Sequence, residues 1–532
     1  MKLRSLCYLI HPLLFALFPV VSAFAANLDS TGPYSLVRPS LLSLAGAGIL
    51  WLLLWIWLRD GLRTSAICSF GLLLFYSYGH LVGADVHRLG GAVAEIPAQG
   101  IDRPLILIGW MAVLLGGGWA LAKTRSWRAE LNRAFSVFAV ISLLLPAFRI
   151  ADFEVRLSRA EVAATPRPCG EGSHFSLPSG MLPDIYYIIL DGYGSDQVLL
   201  DVYGYDNRSF SSFLVERGFF VARSSRANYV QTRLSLASSL NMTYLDGLTS
   251  RKDFELTLAI WIRRGAVRYY LERLGYRTVA FSTGYRTTEI EDADITYTPP
   301  GNRDSIIGLE DVLIETSALR LLMRPLSASG GSTLQPGFSA HRDRVEFTLH
   351  QLASEVPTLP GPKFVFAHIV SPHPPFVFGP TGAPPSPPLP FTPHDGDFFS
   401  GTREEYARGY TDQLTFLNRR VQEVVEAVLL KSPSPPVIIL QADHGPGSRL
   451  DWSSAEKSDL DERTGILNAY YLPAEIAQHL YPMISPVNSF RLILTHFFGL
   501  ECPTLPDLSY FSNWTAPLDF QLIDRSVEPA SP

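Results

Sequence analysis

Three short motifs carry residue types that do chemistry together. LDGYGSD (190–196) puts Asp191 at the end of the apolar run IYYIIL (185–190), and ADHGPGS (442–448) puts Asp443 and His444 at the end of VIILQ (437–441). NYVQTRLSLASSLN (228–241) leads from a polar approach into a small-residue amphipathic run, with Thr232 where a helix would start. A carboxylate leaving a buried strand is held rigidly enough to ligate a metal, although Asp-Gly also makes ordinary turns. Adjacent Asp and His can reach one cation where the chain bends sharply, and Gly445 and Pro446 supply that bend. Carboxylate oxygen with imidazole nitrogen suits Zn²⁺, with Mn²⁺ as the harder alternative. A hydroxyl at a helix start feels the N-terminal dipole, which favours negative charge and binds phosphate. Beside a divalent cation such a hydroxyl becomes a nucleophile. Taken alone, Thr232 reads as an N-cap.

These motifs need elements to position them. IYYIIL, RTVAF (277–281), FVFAHIV (364–370), VIILQ and ILNAYYL (466–472) read as buried strands. AVRYYLERLG (266–275) and YTDQLTFLNRRVQEVVEAVLL (410–430) read as helices. The alternation predicts an α/β domain with a mostly parallel central sheet, in which ligands bind at the C-terminal ends of strands. The proline-dense stretch PHPPFVFGPTGAPPSPPLPFTPHDG (372–396) can be neither helix nor central strand. It reads either as a polyproline ligand for another protein or as a rigid loop over a site. Of the remaining histidines, His174 and His341 are expected in solvent. His350, His479 and His496 sit in helix-like apolar contexts and are expected as satisfied core residues. His394 is a minor candidate for substrate contact, and Arg463 is expected in a surface ion pair. Cys169 and Cys502 lie outside the apolar N-terminal segments, where a disulfide is permitted; spacing alone leaves their pairing open.

The chain has 532 residues, 47% hydrophobic and 18% charged, against roughly 25% charge in soluble proteins. Part of it is therefore not in water, and a disordered chain is excluded. A net charge of −6 gives no reason to expect a nucleic-acid partner, and four cysteines exclude a disulfide scaffold. Apolar segments near 6–26, 39–58, 65–84, 104–122 and 134–149 predict an N-terminal bundle of five transmembrane helices. The fifth is short, contains Pro146 and is the weakest. His11, in the first, is expected as a tolerated polar residue near a helix end. The first segment reads as an uncleaved span in preference to a signal peptide cut after AFAA (23–26). Lys2 and Arg4, Arg59 and Arg63, and Lys123, Arg125, Arg128 and Arg133 then share the cytoplasmic side. Residues beyond about 150 lie on the other side. The expected organisation is a transmembrane domain (1–150), a linker (151–182), a catalytic domain (183–510) and a C-terminal tail (511–532).

A strand-borne Asp, a hydroxyl about forty residues on and a distant strand-borne Asp-His pair resemble the alkaline phosphatase superfamily over about 183–500. With five preceding spans, the chain is similar to the phosphoethanolamine transferases of Gram-negative envelopes and to the lipoteichoic acid synthases. The resemblance implies one divalent metal held by Asp191, Thr232, Asp443 and His444, with Zn²⁺ favoured over Mn²⁺ and a second ion left open. It implies Thr232 as nucleophile and, through SPHPPF, His373 on the substrate phosphate or leaving group, with His368 five residues earlier beside it. It further implies a phospholipid donor, an envelope glycan or lipid acceptor, and a multi-pass protein of the bacterial inner membrane with its catalytic domain on the periplasmic side. Two departures stand out. Asp191 occupies the place where the transferases usually have Glu, and no C/S-x-P-x-R motif occurs around 228–243, which disfavours an ordinary sulfatase. The alternatives are an envelope phosphodiesterase, phosphatase or sulfatase-like hydrolase, and a non-catalytic envelope scaffold.

Overall fold

The computed structural model describes residues 10–28, 31–82, 102–123, 128–160, 167–169, 182–248, 254–300, 308–323 and 336–523. The chain forms two compact units, Met1–Ser158 with Asp304–Gly337, and Arg159–Arg303 with Phe338–Pro532.

The first unit contains helices His11–Ala26, Val37–Leu58, Gly61–Leu81, Asp102–Lys123 and Arg128–Ala160. Each covers one of the five apolar segments. Among the described residues, three helices are long and apolar enough to cross a membrane: Pro33–Leu58, Pro104–Lys123 and Arg128–Ser158, while His11–Ala26 is apolar but shorter. The segment expected to be weakest is one of the three. Polar turns extend it at both ends, and the helix passes through Pro146, whose missing N–H removes a single backbone bond. The same helix continues through residues expected as linker, to Ala160. His11 is fully buried, with Nδ1 on Ser69 Oγ at 2.6 Å and Nε2 on Asn132 Oδ1 at 2.8 Å. The helix Leu309–Thr316 and the turn after it also belong to this unit, although the sequence places them inside the catalytic span. Leu309 packs with Phe24 and Leu28, and the Ala318 N–H donates to the Phe75 carbonyl at 2.8 Å.

The second unit is built on a seven-stranded sheet. Its strands are β1 (Ile185–Leu190), β2 (Phe220–Val221), β3 (Arg277–Phe281), β4 (Ile295–Tyr297), β5 (Lys363–Ile369), β6 (Val437–Gln441) and β7 (Asn468–Tyr471). Their order is β2-β7-β6-β1-β5-β3-β4. Strands β6, β1, β5, β3 and β4 run parallel, while β7 and β2 add antiparallel partners at one edge. All six residues of β1 are buried, as a parallel strand covered on both faces requires. One face carries the helix Arg403–Lys431, started by a Thr402–Glu405 capping box. Its Tyr406, Tyr410, Leu414, Leu417, Val421 and Val424 are buried at helical spacing. The helices Thr232–Asn241 and Pro486–Phe498 pack into the hydrophobic core on the other face. Register decides the rest. Leu190 pairs with Ile369, and Ile189 with both His368 and Gln441, so β1, β5 and β6 end level and their following residues share one edge.

Residues expected as a C-terminal tail form a hairpin, β8 (Tyr510–Asn513) and β9 (Ala516–Leu522). Its Tyr510 stacks on Tyr229 with ring centroids 5.5 Å apart. These strands are short and their alternation is imperfect, so periodicity gave little signal. Cys169 and Cys502 form a disulfide with Cα atoms 4.6 Å apart.

Candidate metal and catalytic site

The level ends of β1, β5 and β6 deliver three of the sequence motifs to one place. Asp191 follows β1 and its N–H donates to the Ile369 carbonyl of β5 at 3.0 Å. Gly192 then turns the chain with φ +74°, and a Cβ there would lie 3.3 Å from that of His373. Asp443 and His444 follow β6. The turn after them is so tight that a Cβ on Gly445 would fall 2.1 Å from the Glu462 carbonyl oxygen. Thr232 is the first residue of the helix Thr232–Asn241. Gln231 takes the N-cap position, without a side-chain bond, so Thr232 is free of the capping role it could have had. Ser235, one turn on, ties this helix to the Asp443 carbonyl at 2.6 Å.

The side chains converge on one atom. His444 Nε2 stands 2.9 Å from Thr232 Oγ1, 3.3 Å from Asp443 Oδ2 and 3.5 Å from Asp191 Oδ1. His444 Nδ1 lies 2.9 Å from the Gly445 carbonyl, which can only accept, so Nδ1 carries the proton and Nε2 presents its lone pair. Burial, reinforced by the Arg463 charge, lowers the His444 pKa to about 4, which keeps the ring neutral. Asp191 Oδ1 and Asp443 Oδ2 are buried and have no hydrogen-bond partner. A nitrogen lone pair and two carboxylate oxygens therefore face one another in a buried space with only the Thr232 proton between them. Such an arrangement is costly without a positive charge, and the donor set suits a divalent metal. Among the described residues, two triads have ligand atoms within 4.8 Å of one another: Asp191, His368 and Asp443, and Asp191, His373 and His444. They share Asp191.

His368 and His373 lie at different depths. His368 is fully buried in β5, with Nε2 3.1 Å from Asp191 Oδ2. His373 is 11% exposed. Its Nδ1 meets the Pro374 carbonyl at 2.6 Å and its Nε2 meets Asp395 Oδ2 at 3.3 Å. Burial alone would lower its pKa, but the carboxylates of Asp191 and Asp395 outweigh that and raise it to about 9. Both ring N–H groups are thus engaged, and the ring supplies a fixed positive charge beside Asp191.

Asp395 is the residue that sequence reasoning missed. It ends the proline-dense loop, which leaves the site at His373 and returns to it here. Asp395 Oδ2 also accepts from Arg463 Nη1 at 2.5 Å. Burial would raise this carboxyl, but Arg463 and His373 hold it far below the usual carboxylate range. Arg463, expected at the surface, is 1% exposed. It donates from Nε to the Val230 carbonyl at 2.9 Å and from Nη1 to the Gly445 carbonyl at 3.0 Å, binding the Thr232 approach to the Asp443–His444 turn. The signal available in the sequence was the loop's position after a histidine-bearing strand, together with one acidic residue among its prolines.

Other expectations are corrected. His341 is 1% exposed, because the helix Pro336–Ser354 turns it inward. His350, His479 and His496 are exposed, His350 and His496 on the outer faces of helices whose opposite faces hold the apolar residues and His479 in the turn after Ala474–Ala477. His479 and His496 stack with ring centroids 3.6 Å apart. His394 is half-buried and packs edge-on to Phe398. His174 lies outside the described residues.

No protein-family model matches the chain, and no curated protein matches it. Solved structures with a similar fold include the C-terminal periplasmic domain of EcEptC from Escherichia coli in complex with Zn. That match has 13% identity and TM-score 0.44, covering 69% of this chain and 98% of that one. The integral membrane lipooligosaccharide phosphoethanolamine transferase A from Neisseria meningitidis matches at 12% identity and TM-score 0.41, covering 91% of this chain and 95% of that one. A putative sulfatase from Bacteroides thetaiotaomicron matches at 15% identity and TM-score 0.39, covering 60% of this chain and 72% of that one. The chain's structural neighbours thus include phosphoethanolamine transferases and sulfatases, at a similarity that leaves its chemistry to be argued from its own residues.

Proposed function

We propose that this chain is a membrane-anchored, metal-dependent phosphotransferase that moves a phospholipid-derived phospho-headgroup to an envelope glycan or lipid through a phospho-threonine on Thr232. One observation carries the reading: Thr232 Oγ1 is 2.9 Å from His444 Nε2, beside two buried carboxylates that each keep one oxygen without a hydrogen-bond partner. Asp191, Asp443, His444 and His368 would hold the metal, Zn²⁺ before Mn²⁺. When bound, the metal supplies charge that lowers the hydroxyl pKa and offsets negative charge at phosphorus. The chain's own residues do the rest. The helix start at Thr232 directs backbone N–H groups toward the phosphoryl oxygens. His373, charged and held by Asp395, adds a fixed positive charge.

In the first step the Thr232 hydroxyl gives up its proton to solvent, the Oγ1–P bond forms and the P–O bond to the lipid breaks. The departing alkoxide takes a proton from solvent. In the second step an acceptor hydroxyl loses its proton and bonds to phosphorus, the Oγ1–P bond breaks and Thr232 regains its proton. The apolar N-terminal helices confine the chain to the surface that holds the lipid donor, which raises the donor's effective concentration.

Mass spectrometry of the Zn²⁺-loaded chain after incubation with headgroup-labelled phospholipid vesicles tests the proposal. A phospho-headgroup adduct on Thr232, absent from Thr232→Ala, is expected. Full activity in Thr232→Ala with no adduct in the parent would end the reading. An adduct that discharges only to water would replace transfer by hydrolysis.

A further inference from the structure

On the β5 side of the cation cluster lies a set of buried polar groups that the proposed reaction leaves unused. The helix Pro336–Ser354 carries His341 and Arg344 one turn apart, both buried. Ser371, also buried, follows β5 two residues before His373. Neither ring nitrogen of His341 completes a hydrogen bond, and Ser371 Oγ has no partner. The ring faces the Val370 main chain without closing a full hydrogen bond to it. Burial, and after it the charges of Arg344 and His373, lower the His341 pKa to about 3, so the ring is neutral. It therefore offers one donor and one acceptor. Tyr285, shortly after β3, feels the charges of Asp191, Asp395 and Arg344 together, which places this set next to the cation cluster.

Buried polar atoms without partners call for a ligand, an ion or water. The Arg344 guanidinium one turn along the same helix from His341 opposes a further cation and favours an anion. We infer that His341, Ser371 and Arg344 form an oxyanion subsite that takes a phosphate of the substrate other than the one undergoing transfer. Ser371 and the neutral imidazole donate to its oxygens, and Arg344 supplies the charge. The role of this phosphate rests on the transferase reading; the subsite itself does not require turnover.

Equilibrium dialysis of the full chain in detergent, loaded with Zn²⁺, against radiolabelled inorganic phosphate counts the sites. Two phosphates per chain are expected in the parent. One is expected in Asp443→Asn, which breaks the cation cluster, and one in the His341→Leu/Ser371→Ala double variant. His341→Gln keeps an N–H and should hold the second phosphate within about tenfold of the parent. A count of one in the parent, or of two in the double variant, overturns the inference. Should circular dichroism show the double variant unfolded, Arg344→Lys decides, since Lys cannot reproduce the guanidinium fork. Weakening of the second phosphate by about tenfold supports the subsite, and unchanged binding overturns it. None of these counts depends on catalysis. A chain that transfers nothing yet binds two phosphates would end the transferase reading and leave the subsite standing.

Discussion

At the scale of single residues, the depth of each histidine sets what it can do. His368 is sealed against Asp191, whereas His373 keeps partial exposure and is held by Asp395. Removing a metal ligand, or the donor that orients one, lowers metal affinity by roughly 10–100-fold. His368→Ala should therefore lose Zn²⁺ by elemental analysis after dialysis, while His373→Gln keeps at least one ion and loses turnover. Equal metal retention in both would show that the difference in depth has no consequence. The Asp395 pair makes a separate prediction about pH. A histidine raised from 6.5 to about 9 contributes stability that is complete below about pH 6.5 and fades as pH rises to about 9. A carboxyl lowered by its partners contributes above its ordinary pKa, about 4, and loses that contribution as pH falls. The pair is thus worth most between about pH 4 and 6.5. The melting temperature of metal-stripped Asp395→Asn should lie furthest below that of the parent in this window. The gap should narrow toward pH 9 without closing, because Arg463 keeps its charge. A gap independent of pH would remove the charged His373 from the account.

At the scale of elements, the strands were legible because a strand buried on both faces must be almost wholly apolar, as IYYIIL and the first four residues of VIILQ are. The short strands β2, β4, β8 and β9 were not, since two to seven partly exposed residues leave no periodic signal. The turn after β6 shows how much of the site depends on backbone path. A Cβ on Gly445 would meet the Glu462 carbonyl at 2.1 Å and the Gly465 carbonyl at 2.9 Å, and neither is a flexible side-chain end. Gly445→Ala must shift this turn. The expected cost is about 1–3 kcal/mol of stability, with a fall in Zn²⁺ affinity because His444 moves with it. Thermal melts and zinc titration check both, and a variant with parental values in each would show that the turn has slack.

At the scale of the whole molecule, two long-range ties hold distant parts of the sequence together. The Cys169–Cys502 disulfide closes a loop across 333 positions, joining the segment before β1 to the region that follows the helix Pro486–Phe498. Its loss typically costs about 2–5 kcal/mol. Cys169→Ser/Cys502→Ser should therefore melt several degrees lower than the parent, and a reductant should lower only the parent. No difference between the two proteins under oxidising conditions would refute the tie. The second is the segment Asp304–Gly337, which leaves the α/β unit and joins the N-terminal helices. The apolar pattern of Leu309–Thr316 announces a helix, but its core partners Phe24 and Leu28 lie nearly 300 positions away, and periodicity carries no information about partners.

The amino-acid sequence by itself determined the apolar N-terminal helices, the α/β alternation and the residues able to meet at strand ends, because these follow from local pattern and residue chemistry. It could not determine which histidine lies deep and which keeps partial exposure, nor that Arg463 and Asp395 leave the surface to clasp one another. Those outcomes depend on strand register and on where a loop of more than twenty residues returns. Only the tertiary structure decides that, since it sets which buried charges must find opposite partners.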